Sequence, residues 1–151
     1  MNSVFNSAFE ISLRVLLVLI ADDKPKTIDM ISAMDFISTY GGAFGIAESN
    51  LHGENYYKFG EFSARRAVVK KAIVILIQRD MVDIYQRNDG YYFHINDVGE
   101  VFCKSFKSDY AAEYAKTAKA ASAYIGDKTE REIIKEILSR STVDLRGGYD
   151  E

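Results

Sequence analysis

Between two segments whose apolar residues recur at helical spacing, the chain inserts about twenty residues, 41–60, rich in glycine and aromatic side chains. A helix-turn-helix that reads DNA joins its two helices through a turn of about three or four residues. An insertion of this length moves the later helix away from the one that should brace it. The chain is free to be helical and compact, but it is a poor candidate for a tight DNA-reading turn.

The segments before the insertion carry clear boundary signals. The first helix is predicted from Ser7, an N-cap with Glu10 three residues on, to about Ala21. Leu13, Leu16, Leu17 and Ile20 recur at helical spacing, and Val15, Val18 and Leu19 widen the stripe, so this is a core helix. Pro25 bars continuation. Thr27 and Asp29 open a second helix to about Tyr40, with Ile31, Met34 and Ile37 or Ser38 facing inward. Gly41 and Gly42 are expected to end it by taking the left-handed conformation. A chain of 151 residues, 48% hydrophobic and 27% charged, suits one globular domain with an appendage. Its longest apolar run, residues 15–21, is far below the roughly eighteen residues of a membrane-spanning helix, and no cationic stretch precedes it. A soluble, cytoplasmic protein is expected. The single cysteine, Cys103, excludes an intramolecular disulfide; beside Val101, Phe102 and Phe106 it reads as a buried, inert thiol.

The third helix, residues 61–79, directs Ala64, Val68, Ala72, Ile75 and Leu76 to the core. Arg65, Arg66, Lys70 and Lys71 form a candidate basic strip, in which the spacing of Arg66 and Lys70 places both on one exposed face. Such a strip contacts phosphate or an acidic protein surface; the alternative is a solvated face. Arg65 lies nearer the apolar side, where a structural ion pair is the competing role. The formal charge of −3 supplies no overall drive toward nucleic acid, so any such binding is local. Val82, Ile84, Tyr91, Phe93 and Ile95 then alternate with Asp83, Tyr85, Tyr92 and His94 around Asn88-Asp89-Gly90, the pattern of a half-buried hairpin. A short helix over 98–106 returns to the core. Three helices followed by a hairpin predict a mainly α, winged-helix domain over residues 1–107, with an enlarged loop between its second and third helices.

Residues 108–140 read as a C-terminal two-helix extension. Tyr110, Tyr114, Ala118, Ala121 and Ile125 form one narrow stripe, and Thr129 with Glu132 makes a second capping box. Ile133, Ile134, Ile137 and Leu138 then form an apolar face that either closes over the domain or docks on a partner. Residues 141–151, with Arg146-Gly147-Gly148, are predicted to be a flexible tail. Chemistry is sparse. The glycines at 41, 42 and 45 lack the lysine and hydroxyl of a phosphate-cradling loop, and neither His52 nor His94 has a partner at metal-ligand spacing. No catalytic residue, metal or cofactor is assigned, and an enzyme is not expected. The aromatic insertion supplies a candidate partner-binding loop: Phe44, His52, Tyr56, Tyr57 and Phe59.

Several short runs carry a resemblance when taken together: Glu10-Ile-Ser-Leu-Arg14, Thr27-Ile-Asp29, Tyr40-Gly-Gly-Ala-Phe-Gly45, Leu51-His52 followed by Phe59-Gly-Glu-Phe-Ser-Ala-Arg-Arg66, and Asp89-Gly-Tyr-Tyr in the hairpin. In this order, over residues 5–140, they resemble the middle component of bacterial ABC-ATPase three-component systems. The resemblance implies a non-catalytic adaptor between a coiled-coil, SMC-like ABC ATPase and an effector protein, in antiviral or anti-plasmid defence of which the Lamassu type is an example. It also implies that DNA, where touched, is reached through the complex; the oligomeric state stays open. The competing reading is a winged-helix transcription regulator, with the third helix in the major groove and Arg87 and Asn88 on the backbone.

Overall fold

The computed structural model describes residues 8–51 and 62–150, with side chains as far as residue 140. The elements run α1 (Ala8–Ala21), α2 (Ile28–Thr39), α3 (Phe62–Gln78), β1 (Val82–Arg87), β2 (Gly90–Ile95), α4 (Asp97–Lys104), α5 (Asp109–Ile125) and α6 (Glu130–Asp150). The described chain is therefore mainly helical with one antiparallel hairpin. The Ser7 cap lies outside the described residues.

At the centre stands α2, with α1, α3, α5 and α6 packed around it. Every residue from 31 to 40 is buried, well beyond the expected stripe of Ile31, Met34 and Ile37 or Ser38. Its buried hydroxyls are satisfied along the helix itself: Ser32 Oγ donates to Ile28 O at 2.8 Å, Ser38 Oγ to Met34 O at 2.6 Å and Thr39 Oγ1 to Phe36 O at 3.0 Å. Bonds of this kind let short polar side chains enter a core without an orphaned donor. Thr27 caps the helix as predicted, in an extended conformation, and accepts the Met30 N–H at 3.1 Å.

The exit from α2 corrects the role expected of its glycines. Among the described glycines only Gly45, Gly90 and Gly126 have positive φ, so Gly41 and Gly42 do not end the helix by turning left-handed. They are small because the chain folds straight back on itself. A β-carbon on Gly42 would sit 2.9 Å from the Ser49 backbone and 2.9 Å from Asn50 Oδ1. The Ile46 N–H donates to Gly41 O at 3.0 Å, Leu51 N–H to Thr39 O at 3.0 Å and Ala43 N–H to Asn50 Oδ1 at 3.1 Å. Residues 41–51, the described part of the insertion, are a compact turn against the end of α2.

The buried stripe of α3 is Phe62, Arg65, Val69, Ala72, Ile73 and Leu76. It is rotated from the expected one: Ala64 is exposed, and Val68 and Ile75 are only half-buried. Counting Arg65 as a surface cation hides the spacing 62, 65, 69, 72, 76. The hairpin pairs Val82 with Ile95, Ile84 with Phe93 and Gln86 with Tyr91 on one face. Val82, Phe93 and Ile95 are buried at its base, but Ile84 and Tyr91 are 48% and 55% exposed. The predicted alternation thus holds only where the hairpin lies over the helices, and its outer half overhangs the body. On the far side of β2, Lys26 forms an isolated bridge to Phe93, with N–H to carbonyl distances of 2.9 and 2.8 Å.

Side-chain caps set the later helices. Asn96 Oδ1 accepts the Gly99 N–H at 3.0 Å, and Ser108 Oγ accepts the Ala111 N–H at 3.1 Å. The second predicted capping box is complete: Glu132 N–H donates to Thr129 Oγ1 at 3.1 Å and Thr129 N–H to Glu132 Oε1 at 2.9 Å. From there α6 continues to Asp150, through the segment predicted to be a tail. No proline interrupts it, and glycines such as Gly147 and Gly148 cost about 1 kcal/mol each in a helix without forbidding it.

Candidate functional site

Among the described residues the densest cluster of charged and polar side chains is internal. Arg14, set in the apolar run of α1, and Arg65 on α3 converge on Asp35 of α2, and Tyr114 of α5 closes the group. Arg14 grips the carboxylate with two donors, Nε to Oδ1 at 2.9 Å and Nη2 to Oδ2 at 3.3 Å. Arg65 Nη1 donates to Oδ2 at 2.8 Å, and Tyr114 Oη donates to Oδ1 at 2.6 Å. Asp35 is fully buried, and Arg14 and Arg65 are 1% and 7% exposed. The Arg65 guanidinium also reaches Thr39 Oγ1 at 3.2 Å and lies over the Phe36 and Tyr40 rings, a favourable setting for a desolvated cation.

The charge states follow from this geometry. Burial by itself raises the Asp35 carboxyl, but the two guanidiniums and the hydrogen bonds outweigh it and hold the group well below the usual carboxylate range. Burial, reinforced by the carboxylate, pushes the Tyr114 phenol well above its ordinary value; burial pushes Tyr110, on the same helix, up to about 12. Near neutrality the carboxylate is ionised and both phenols keep their protons. The carboxylate accepts four hydrogen bonds, so the group acts as a clamp among four helices rather than as an acid or base. The sequence reading weighed Arg65 for such a part but missed Arg14 and Asp35. Their signal was present: each is a lone charge in an otherwise apolar or small-residue stretch of helix.

Several expected site residues lie in the interior. Phe44 is buried, edge-on to Phe36 and Tyr124, with the Arg140 guanidinium 4.7 Å from its ring centroid. It packs against the end of α2. His52, Tyr56, Tyr57 and Phe59 lie outside the described residues. Arg65 leaves the basic strip, because Asp35 draws it inward. Ile133 and Ile137, half of the proposed docking face, are buried on this chain's own core; Ile134 is half-buried and Leu138 is 44% exposed. Ile133 and Ile137 thus cover the side of α2 that α1, α3 and α5 leave open.

Among the described residues two exposed groups stand out. Arg66, Lys70 and Lys71 stand exposed on α3, with Arg66 Nε 2.5 Å from Asp29 Oδ1. Apolar side chains stand out on the hairpin at Ile84, Tyr85 and Tyr91, and on α4 at Val98 and Val101, the last 70% exposed. Cys103 is buried, and burial with the nearby Glu100 pushes its thiol up to about 11, which leaves it unreactive at neutral pH. His94 Nε2 meets Asp23 Oδ1 at 2.9 Å. Among the described residues no three His, Cys, Asp or Glu side chains are grouped to hold a metal, and no helix is long and apolar enough to cross a membrane.

Comparison with known proteins identifies one family. The family model described as ABC-three component (ABC-3C) system Middle Component 2 matches residues 4–145. No curated protein and no solved structure matches the chain. The match spans nearly all of the sequence, so the chain belongs to this family of middle components.

Proposed function

From that membership we propose that the protein is the non-catalytic adaptor of its three-component system. It bridges a coiled-coil, SMC-like ABC ATPase to an effector in defence against phage or plasmids. We read the fold as a winged helix, in which α1 to α3 are the helical core, β1 and β2 the wing, and the Lys26 bridge a vestigial third strand. The observation that carries the adaptor reading is where the charge sits. Its buried ions engage one another inside, whereas Arg66, paired with Asp29, and Lys70 and Lys71 stand on the exposed side of α3. A surface of that composition suits contact with an acidic protein face or with DNA held by the ATPase.

The test is a mild-salt pull-down of the tagged protein from its native host, read by mass spectrometry. A large coiled-coil ATPase in near-stoichiometric amount supports the adaptor; the protein recovered alone and shifting its own promoter DNA overturns it in favour of a winged-helix regulator. Arg66→Glu with Lys70→Glu should leave circular dichroism and the thermal midpoint unchanged, since exposed ion pairs such as Arg66 with Asp29 contribute about 0–1 kcal/mol. The same variant should weaken assembly or DNA engagement about tenfold, equivalent to about 1.4 kcal/mol. Unchanged affinity for both would reduce the strip to a solvated face.

A further inference from the structure

We propose that the open edge of β1 pairs with the β1 edge of a second copy of this chain, in an antiparallel, four-stranded sheet whose two-fold axis passes beside Tyr85. The proposal begins with backbone bonds. Phe93 uses both its N–H and its carbonyl on Lys26, so it cannot exchange bonds with Ile84, its partner across the hairpin. In an antiparallel ladder, bonded and unbonded pairs alternate. Ile84 and Gln86 therefore turn their N–H and carbonyl groups outward, while Asp83, Tyr85 and Arg87 bond inward to β2.

No described segment pairs with that outer edge, and residues 83–87 are all exposed. Edge strands are usually guarded by charged side chains, lysine above all, by proline, a bulge or a cover. Residues 82–87 contain neither lysine nor proline; their two charges, Asp83 and Arg87, are opposite in sign, and Ile84 and Tyr85 are 48% and 45% exposed.

The strand is complementary to itself in one register. Outward-facing residues must oppose outward-facing residues for the ladder to form. An axis at Ile84 would set Val82 against Gln86, but Val82 is buried at the base of the hairpin. An axis at Tyr85 sets Ile84 against Gln86 twice, giving hydrogen-bonded pairs on both sides of the axis. In the unbonded positions, where side chains approach most closely, it sets Tyr85 against Tyr85 and Asp83 against Arg87. Each end of the new ladder then gains an opposite-charge pair on one face. Arg87 is prepared for this. Its guanidinium stacks 4.3 Å from the Tyr92 ring centroid, an arrangement that leaves the in-plane N–H donors to meet a carboxylate. An edge this short buries less than the roughly 1,600 Å² of a standard interface, so the isolated pair is weak and gains strength where a larger assembly holds two copies close.

Disulfide trapping of the full-length chain in a Cys103→Ser background tests the register directly. In an unbonded antiparallel pair the Cα atoms lie about 4.5 Å apart, within disulfide reach. Under mild oxidation Tyr85→Cys should give a covalent homodimer roughly tenfold faster than Gln86→Cys, whose symmetry mate is displaced along the strand. Adding Asp83→Arg or Arg87→Asp alone should suppress trapping, and the two together should restore it, because the exchange rebuilds both charge pairs. Equal trapping at residues 85 and 86, or no recovery in the charge-exchanged double variant, overturns the proposal. So does a chain that never traps with itself but loses an ATPase or effector contact on Gln86→Pro, an outcome that assigns the edge to a different protein.

Discussion

A single carboxylate fastens α1, α2, α3 and α5, and its removal is predicted to be costly. Asp35→Ala leaves two guanidiniums buried without their counter-charge, and should lower stability by about 3–5 kcal/mol. Against a total of about 5–15 kcal/mol for an ordinary domain, urea unfolding should show a variant near collapse. The pH dependence has a definite sign. Because the folded pKa of Asp35 lies below its unfolded value of about 3.9, its contribution is complete above that value and is lost as pH falls toward the folded one. The stability gap between the wild type and Asp35→Asn should be flat above about pH 5 and narrow below about pH 4; a gap that stays constant down to pH 3 would contradict the ion-pair account. Arg14 and Asp35 escaped the sequence reading for a physical reason. Periodicity sorts residues by polarity, and a buried charge is tolerated only through partners that the local sequence does not contain: Asp35 lies 21 residues from Arg14 and 79 from Tyr114.

At the level of elements, what was legible was local. Thr27, the Thr129–Glu132 box and the hairpin turn were read correctly because each completes its bonds within three or four residues. The register of α3 was misread because Arg65 finds its partner 30 residues upstream. Gly41 and Gly42 were assigned the right place but the wrong cause, since only the backfolded chain at Ser49 and Asn50 shows why a side chain is excluded there. Thr27 does more than cap: its hydroxyl also donates to Glu130 in the first turn of α6. Thr27→Ala should therefore lose about 1–2 kcal/mol in urea unfolding, toward the upper end for a cap, and Thr27→Ser should recover most of it. A loss of only about 0.5 kcal/mol, the lower end for a cap alone, would mean that the tie to α6 contributes nothing.

At the scale of the whole fold, α2 is the element against which α1, α3, α5 and α6 all pack. Its backbone amides should exchange with solvent only through global unfolding, while those of the overhanging hairpin tip exchange through local opening. Hydrogen exchange resolved by residue checks this, and fast exchange in α2 would show that the layers separate independently. Ile133→Ala with Ile137→Ala, both on the cover of α2, should cost about 2–5 kcal/mol for each side chain removed. The same enclosure has a consequence during synthesis. α2 is made before α3, α5 and α6, and one of the faces it must bury is covered by α6. A chain cut before α6 leaves its central helix with one side bare, so α2 is fully enclosed only once Ile133 and Ile137 have been made and have closed over it.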